Sequence, residues 1–566
     1  MEDSKLSSSS VIIGTDESCT IALELSENDP FFDKKKNLLH NKGFHIREHV
    51  QLKSLTCPDS IATTLEKMLQ IARITHLDEI ELYFGEIDEC SSVEYCSPRN
   101  EVEALNSILA LVNSMLSRKT RTEMNVLQAL RDAIVDRFEE FVDKNREEAR
   151  IDKSYICDKE KRVAEWGEIN GIKSKLEIVY VEGAGRGAIA TKDLKAGDVA
   201  MEIPVSIIIS EELVHQSDMY HILGKLDGIS SETMLLLWSM KERHNSNSKF
   251  KVYFDTLPKE FNTGLSFGVA AIMALDGTLL LEEIMQAKEH LRIQYDELVP
   301  ALCNKYPDVF PPELYTWEQF LWACELWYSN SMKVMFPDGK LRTCLIPFAG
   351  FLNHSLHPHI IHYGKVDSMT NTLKFPLSRP CLIGEQCCLS YGNFSSSHLI
   401  TFYGFLPQGD NPYDVIPLDF DAGEPDSMED CPVSSQTTHM VRGTWLSKNH
   451  NIFHYGLPSP LLNFLRSAQG LTLHNMTITR SNLEIEMQIL EDLQSTFNNM
   501  MENLGDADLV DREVLCYSDR ETAAWDVKLA IEFKDLQRRI VSSIVTSCDA
   551  GIKLVQHELS KWTAEE

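Results

Sequence analysis

Three short stretches of the chain carry residue types suited to holding a small ligand and aligning a reaction. In the first, residues 183–187, three glycines alternate with Ala184 and Arg186. Glycine lets a backbone approach a ligand closely or take a positive φ, so this stretch is either a ligand-contacting turn or a tight β-turn. It lacks the G-x-G-x-x-G spacing, and no phosphate-binding helix is predicted after it. We therefore do not predict a dinucleotide site.

The second and third stretches lie later in the chain. Asn353-His354-Ser355 follows the apolar run of residues 346–352, and Tyr391-Gly392 comes about 37 residues farther on. Polar residues after an apolar run are either hydrogen-bonded core groups or site groups. Tyr391 and Tyr403 both precede a glycine, and a buried tyrosine hydroxyl usually has a partner, so each is a core residue or part of a site. Taken singly, no stretch decides between these alternatives.

The sequence predicts no metal site. Four histidines fall close together, namely His354, His357, His359 and His362, but no convincing set of carboxylates accompanies them. The 14 cysteines include no C-x-x-C pair, and a structural zinc site usually shows paired ligand spacing. The closest set is Cys381, Cys387 and Cys388. Reduced, mostly buried thiols and a cytosolic-type compartment are expected.

The charge composition limits the classes of molecule that the chain is expected to bind. The 566 residues carry 85 acidic and 54 basic side chains, a formal net charge of −31. Such a chain does not present the basic face that nucleic-acid binding needs. The acidity suits a basic protein partner, or it serves solubility alone. We predict no membrane partner, because no run of 18 apolar residues occurs, and we expect a monomer.

The N-terminal residues MEDSKLSSSS resemble neither a secretory signal nor a transit peptide, because they lack an apolar core and carry Glu2 and Asp3. We expect a cytoplasmic or nuclear protein, with a chloroplast address left open.

Hydrophobic spacing predicts the elements that position these residues. Residues 100–145 are predicted as two helices, with a capping box at Asn100 and Glu103. Short strands separated by glycine turns are predicted at Leu176–Val181, 188–190 and 199–203. Residues 210–324 are predicted as mainly helical, and short strands return between residues 341 and 390.

The C-terminal part is predicted as helical. One helix is predicted with Ser459 as its N-cap and Pro460 at its first helical position. A second begins with a capping box at Ser481 and Glu484 and stops at Gly505. A third apolar stripe begins at Trp525. Residues 421–430 hold five acids and no base, which favours a solvated loop. Residues 78–89 are also acidic, and their pattern leaves a strand and a solvated arm as alternatives.

Together, the three stretches resemble the SET domain in order and spacing. The segments GRGAIATKDLKAGDV, PFAGFLNHS, IGEQCCLSYGN and YGFLPQGDNPYD are similar to those of the plant Rubisco large-subunit methyltransferase and its relatives. The likeness spans roughly residues 160–560. It implies an α+β fold with a β-rich SET domain, in which one segment threads through a loop as a pseudoknot, one of the rare exceptions to unthreaded connections.

The resemblance also implies a domain plan. Ahead of the region of likeness, the sequence pattern leaves an N-terminal extension of unknown fold at residues 1–98, partly helical and partly disordered, which has no counterpart in the family. The apolar spacing predicts a helical prefix at residues 99–160. The SET domain follows at residues 161–408, with a helical insertion at about 210–330. An acidic linker at residues 409–440 leads to a helical substrate-binding domain at residues 441–566.

For the site, the resemblance implies an S-adenosylmethionine-dependent transfer of a methyl group to a lysine of a non-histone protein. Its residues are the cofactor-binding set Ala184, Gly185, Arg186, Asn353, His354 and Tyr391, with Tyr391 also catalytic, and the substrate-binding residues Ser329 and Tyr403. A lysine has a pKa of about 10.4 and must lose its proton before it attacks. A dry channel and the sulfonium charge favour that loss.

The chain departs from the family pattern at three positions. Asn330 follows Ser329 where the family has arginine, Gly350 stands where it has aspartate, and Ala184 replaces a frequent glutamate. Each lost charged contact costs roughly 1.5–3 kcal/mol. Two alternatives to lysine methylation therefore stay open, namely histidine methylation and a non-enzymatic protein-binding role for the fold.

Overall fold

The computed structural model describes residues 20–52, 58–85, 97–116, 121–144, 150–152, 158–419, 438–442, 450–471, 477–505 and 523–563. The predicted solvated loop at residues 421–430 and the N-terminal MEDSKLSSSS segment lie outside these residues. The chain divides into two compact units. The first takes residues 1–82, 91–259 and 303–392, and the second takes residues 83–90, 260–302 and 393–566.

The N-terminal part of the first unit joins a two-stranded sheet to helices. Strands β1 (Thr20–Glu24) and β2 (Arg47–Gln51) pair antiparallel, and alternate residues of β1, Ile21 and Leu23, are buried. The helices are α1 (Phe32–Asn41), α2 (Pro58–His76), α3 (Glu79–Gly85), α4 (Pro98–Leu116), α5 (Arg121–Lys144) and α6 (Asp158–Ile169).

One apolar core unites these elements. The buried faces of α2, α4 and α5 pack with both strands, and the cluster includes Leu69, Leu105 and Phe138. Ile361, from a much later part of the chain, is buried in the same core. The core draws on both sides of the boundary predicted near residue 98, and the predicted domain boundaries stay predictions.

Short antiparallel strands form the rest of the first unit. They are β3 (Lys173–Ser174), β4 (Leu176–Val181), β5 (Gly185–Ala190), β6 (Val199–Pro204), β7 (Ser331–Met335), β8 (Leu341–Leu345), β9 (Val366–Asp367) and β10 (Thr372–Pro376). Four of them make a sheet in the order β3-β6-β10-β9, while β4–β5 and β7–β8 are separate pairs. The β4–β5 register runs from Leu176 opposite Ala190 to Val181 opposite Gly185.

Seven helices lie between β6 and β7. They are α7 (Glu211–His215), α8 (Tyr220–Leu223), α9 (Ser231–Glu242), α10 (Lys251–Thr256), α11 (Val269–Ala274), α12 (Leu279–Lys305) and α13 (Trp317–Asn330). Helix α13 leads directly into β7, and the Thr316 side chain accepts the Gln319 N–H at its start. Trp327 Nε1 donates to Ser239 Oγ at 2.9 Å, which fixes α13 against α9. Helices are thus present where the pattern predicts a mainly helical stretch at residues 210–324, and the role of this stretch as an insertion in the SET domain stays a prediction.

The second unit ends in long helices. Its later elements are α14 (Ser396–Tyr403), β11 (Ile416–Asp419), β12 (Thr438–Val441), α15 (Ser459–Ala468), α16 (Arg480–Leu504) and α17 (Trp525–Thr563). Leu490, Phe497 and Ile544 belong to a buried core that α16 and α17 share. Arg466 on α15 donates to both carboxylate oxygens of the fully buried Glu486, at 2.6 and 2.9 Å.

The α+β prediction is confirmed, and most predicted elements are present. The N-cap of α15 is Pro458 and not the predicted Ser459, and no side chain caps this helix. Two further helix starts were wrong. Ser97 Oγ, not Asn100, caps α4 by accepting the Asn100 N–H at 3.1 Å. Thr479 Oγ1, not Ser481, caps α16 by accepting the Asn482 N–H at 3.2 Å. In both cases an earlier hydroxyl takes the cap position. Within the described residues, no helix is both long and apolar enough to span a bilayer.

Candidate active site

Asn353 and strand β5 are in direct contact. Asn353 Nδ2 donates to the Arg186 carbonyl oxygen at 3.0 Å. A Cβ placed on Gly187 would lie 3.2 Å from Asn353 Nδ2 and 2.8 Å from Gln386 Nε2. The small glycine at position 187 thus lets β5 pack closely against both side chains. The structure thus brings the first and second predicted stretches together.

The turn before β5 leaves room beside its backbone. Gly183 and Gly185 have φ values of +78° and +73°, and nothing lies within 4 Å of a Cβ built on either residue. The Ala184 N–H donates to the Val181 carbonyl at 3.2 Å, which closes the turn. A ligand can therefore approach residues 183–185 closely. The sequence had left open a ligand-contacting turn and a tight β-turn as alternatives.

The Arg186 side chain is held by protein groups. Its Nη1 lies 3.3 Å from Glu160 Oε1 and also donates to the Thr256 carbonyl. Its guanidinium carbon lies 5.3 Å from the centre of the Phe351 ring, a cation–π distance. The side chain thus anchors β5 to α6 and α10. The backbone is the part of Arg186 that is placed to contact a ligand.

His354 and Tyr391 are also in contact. The Tyr391 N–H donates to His354 Nδ1 at 3.1 Å, and the two ring centres are 5.3 Å apart. Because a backbone N–H can only donate, Nδ1 is unprotonated and the neutral ring carries its proton on Nε2. Burial lowers the pKa of His354 to about 4. The imidazole is therefore neutral near pH 7.

Backbone pairing aligns the two segments that carry these residues. The Leu389 N–H donates to the Asn353 carbonyl at 2.9 Å. His354 and Ile360 each form a parallel bridge with Leu389. Residues 353–360 therefore lie beside residues 386–390, which places Asn353-His354 next to Tyr391. The resemblance implied this juxtaposition.

The Tyr391 hydroxyl is oriented by the backbone. It donates to the Leu352 carbonyl at 3.1 Å. Since a phenol has one proton and Leu352 receives it, the oxygen can act only as an acceptor toward any other group. Sequence reasoning missed both Leu352 and Phe351, although they immediately precede Asn353. Their segment begins at Phe348, whose φ of +76° is unusual for a residue with a side chain.

Two of the positions that depart from the family pattern lie against each other. A Cβ on Gly350 would lie 3.1 Å from Asn330 Oδ1. Asn330 Nδ2 donates to Ser329 Oγ at 2.7 Å, and Ser329 Oγ donates to the Glu325 carbonyl at 2.6 Å. These three neighbouring positions thus carry no charge, and hydrogen bonds within α13 already engage the Ser329 hydroxyl. The predicted substrate-binding role of Ser329 stays a prediction.

Tyr403 lies in the second unit, at the end of α14. Its ring centre is 6.1 Å from that of Phe394 and 6.3 Å from that of His398. Burial raises the pKa of Tyr403 to about 12, so its hydroxyl stays protonated. The structure thus places Tyr403 in an aromatic cluster, and its predicted role in binding substrate stays a prediction.

Residues 185–392 match the family model of the SET domain. This confirms the resemblance predicted from the sequence. A Nicotiana tabacum protein named ribulose-1,5 bisphosphate carboxylase/oxygenase large subunit N-methyltransferase, chloroplastic, is 23% identical over 251 residues, which cover 43% of this chain and 49% of that one. The Arabidopsis thaliana [fructose-bisphosphate aldolase]-lysine N-methyltransferase, chloroplastic, is 26% identical and covers 42% and 49%.

A relative with a different named acceptor is similar to the same extent. The human actin-histidine N-methyltransferase is 24% identical over 254 residues, which cover 43% of this chain and 41% of that one. The chain spans about half the length of the curated relatives it matches. Among solved structures, Rubisco LSMT bound to AdoMet aligns with a TM-score of 0.52 at 18% identity, over 71% of this chain and 94% of that one. This likeness shows the SET fold.

Proposed function

We propose that this chain is an S-adenosylmethionine-dependent protein-lysine N-methyltransferase that acts on a non-histone protein. The observation that supports the proposal most is the contact of Asn353 with Arg186 and of His354 with Tyr391. Both contacts fall inside the residues that match the SET domain. Solved relatives with this fold include one bound to AdoMet and one bound to lysine and AdoHcy.

The residues present fit S-adenosylmethionine. The open space at Gly183 and Gly185 leaves the backbone of Ala184, Gly185 and Arg186 accessible to it. Asn353 and His354 would hold it from the other side. The neutral state of His354 matters here, because a charged imidazole would repel the sulfonium. When bound, S-adenosylmethionine supplies an electrophilic methyl group.

Tyr391 would align the acceptor amine. Its oxygen can act only as an acceptor, because its proton is given to the Leu352 carbonyl. That lone-pair face would receive an N–H of the neutral amine and weak C–H contacts from the methyl group. Holding the amine nitrogen in line with the bond that breaks is the main contribution expected of the protein. The proton released by the amine leaves to solvent.

The choice of lysine draws on the aldolase-lysine relative, and a basic protein segment suits the net charge of −31. Ser329 and Tyr403 would contact that segment. The second candidate function is histidine methylation, which the actin-histidine relatives favour. The third is a protein-binding module without catalysis, favoured by the uncharged pair Asn330 and Gly350. The relatives named as chloroplastic do not favour the predicted cytoplasm or nucleus.

Two measurements test the proposal. Calorimetric titration with S-adenosylmethionine should give binding to the wild type and to Tyr391→Phe alike. A radiolabelled-methyl assay on a protein extract should then show transfer that Tyr391→Phe reduces by about tenfold or more, because the amine loses its acceptor. Absence of cofactor binding would exclude both enzyme functions. Amino-acid analysis of the product separates methyllysine from methylhistidine.

A further inference from the structure

Three buried side chains cluster near the candidate site. The nitrogen donor of His359 and the sulfurs of Cys381 and Cys387 all lie within 4.8 Å of one another. Their exposed fractions are 2%, 0% and 0%. Across the described residues, this is the one grouping of three or more histidine, cysteine or acidic side chains with metal-ligand spacing. The methyl-transfer mechanism uses none of the three.

We propose that His359, Cys381 and Cys387 bind a Zn²⁺ ion. Thiolate sulfur and imidazole nitrogen are the ligands that zinc prefers, at about 2.3 and 2.0 Å. Ligand atoms around a tetrahedral ion are then roughly 3.3–3.8 Å apart, so the cluster needs to contract by only about 1 Å at its widest. Two thiolates also neutralise the charge of the ion, which removes the main penalty for burying it.

A second layer of contacts orients the histidine. His359 Nε2 lies 3.0 Å from Glu385 Oε1. Glu385 is in turn held by Arg379 Nη1 at 3.3 Å and by the Leu382 N–H at 2.9 Å. A carboxylate that accepts the outer N–H of a metal-binding histidine is a recurring feature of zinc sites. Because Nε2 faces Glu385, Nδ1 is the ring nitrogen that would bind the metal.

His359 Nδ1 is the ring nitrogen that faces the backbone of the second segment. It accepts the Cys388 N–H at 3.1 Å. Metal binding would exchange that hydrogen bond for the coordinate bond. Cys388 itself is not assigned as a ligand, because it does not belong to the set of side chains whose ligand atoms all lie within 4.8 Å of one another. The Cys381 sulfur contacts the Glu385 carbonyl at 3.8 Å, and metal binding would replace that contact.

The backbone holds the two cysteines in place. Cys381 and Leu194 exchange backbone hydrogen bonds, each of 2.9 Å, and the Cys387 N–H donates to the Ala188 carbonyl at 2.8 Å. Gly384, at φ +77°, turns the chain between them. The five residues between the cysteines exceed the usual two to four of paired zinc ligands. This spacing hides the site from a search of the sequence.

The ion would tie together the two segments that build the candidate active site. His359 follows Asn353-His354, and Cys387 precedes Tyr391. Three protein ligands leave the fourth tetrahedral position to a water or another small ligand. Metal loss should loosen the pairing of residues 353–360 with residues 386–390. The assignment does not depend on the proposed methyl transfer, because metal content is measured directly.

The test is metal analysis of the purified full chain by mass spectrometry after exchange into metal-free buffer. We expect about one zinc per wild-type chain, retained because the site is buried. Cys381→Ser and Cys387→Ser should lose it. Cys344→Ser removes an equally buried thiol outside the cluster and should keep it. Cys388→Ser should also keep it.

Cobalt substitution gives an independent readout. Protein stripped with a chelator and refilled with Co²⁺ should show a thiolate-to-cobalt charge-transfer band, absent in Cys381→Ser. A wild-type chain that contains no zinc and takes up no Co²⁺ would overturn the proposal. So would a different resident metal, zinc retained by the Cys381→Ser, Cys387→Ser double variant, or zinc lost from Cys388→Ser. The wild-type measurements decide the question even if a variant fails to fold.

Discussion

At the scale of single residues, His354 couples protonation to stability. Its folded pKa of about 4 lies below the ordinary 6.5 because the ring is buried. The unfolded chain therefore binds this proton more readily than the folded chain, and stability is lost as pH falls from 6.5 toward 4. We expect the contribution of His354 to the unfolding free energy to fall by about 2 kcal/mol between pH 7.5 and about pH 5.

Urea unfolding of the wild type and of His354→Asn at the two pH values measures this effect. His357, whose pKa burial and Arg379 also lower to about 4, remains in both proteins and serves as the shared background. The wild type should lose about 2 kcal/mol more than the variant on acidification. Equal losses would mean that His354 is not neutralised by its surroundings.

Asn330 and Gly350 give a second prediction at this scale, because their positions are adjacent. Gly350→Asp alone places a carboxylate against the Asn330 amide oxygen, and Asn330→Arg alone adds an uncompensated guanidinium. Each should destabilise the chain by about 1–2 kcal/mol. The double variant creates an ion pair, so the two changes should couple favourably by about 1–3 kcal/mol.

A double-mutant cycle in urea unfolding measures that coupling energy. Gly339→Asp is a matched single change at a glycine with open space around it, although its φ of +78° adds strain of its own. Its effect should simply add to that of Asn330→Arg. Additivity of the Asn330 and Gly350 changes, to within about 0.3 kcal/mol, would contradict the adjacency.

Sequence reasoning at the residue scale found which residues meet but not how. The resemblance implied that Asn353-His354 lies beside Tyr391, and the structure places them there. The Leu352 carbonyl that orients the Tyr391 hydroxyl could not be predicted, because main-chain acceptors carry no sequence signal. The His359–Cys381–Cys387 cluster was missed for a related reason. Its spacing follows from strand pairing and not from a local motif.

At the scale of elements, Gly404 ends α14 and makes a close contact. Its φ is +78°, and a Cβ there would lie 1.6 Å from the Asn262 carbonyl oxygen. Gly404→Ala should therefore lower the unfolding free energy by roughly 3 kcal/mol or more. Gly409→Ala is the matched control, since its φ is +85° but nothing lies within 4 Å. Gly409→Ala should lower the unfolding free energy by only about 1–2 kcal/mol.

Thermal unfolding of the full chain compares the two variants. The difference between them isolates the backbone clash from the cost of the left-handed conformation. Similar melting temperatures for Gly404→Ala and Gly409→Ala would show that the segment around Asn262 moves aside easily.

Helices and strands were predicted well where the apolar spacing is clear over the whole element. They were predicted poorly where a capping side chain decides the boundary. Strand β4 has the predicted bounds, and helices occupy much of the stretch from residue 210 to residue 324 that is predicted as mainly helical. Residues Glu79–Gly85 form a helix, so neither alternative for the acidic segment, a strand or a solvated arm, holds for them. The signal was present, because Asp78 and Glu81 exchange backbone-to-side-chain hydrogen bonds of 3.0 and 2.8 Å as a capping box. High local charge masked it.

At the scale of the whole molecule, the net charge of −31 should govern encounter with a basic substrate. Salt screens such attraction, with a Debye length of about 10 Å at 0.1 M and about 3 Å at 1 M. We expect KM for a basic protein substrate to rise severalfold between about 0.05 and 0.5 M NaCl, while kcat changes little. A KM for S-adenosylmethionine that stays constant over the same range is the internal control. A salt-independent KM for the protein substrate would contradict electrostatic steering.

The fold class and the SET resemblance could be predicted from the sequence, whereas the N-terminal architecture could not. The apolar residues between positions 20 and 52 follow no long regular spacing. Even so, β1 and β2 pair and join the core of α2, α4 and α5. Strand β1 buries two side chains and β2 buries one, so their pattern is too short to separate from chance. Their partners are supplied by helices that follow in the chain.

Ile361 gives that N-terminal core an order of assembly. A ribosome completes the last core helix, α5, more than 200 residues before it adds Ile361, which is buried in the same core. The contact of Ile361 with that core therefore spans a long stretch of chain, and such contacts form slowly. The same contact pins the segment that carries His354. Burial of Ile361 should therefore couple the stability of this core to that of the segment that carries His354.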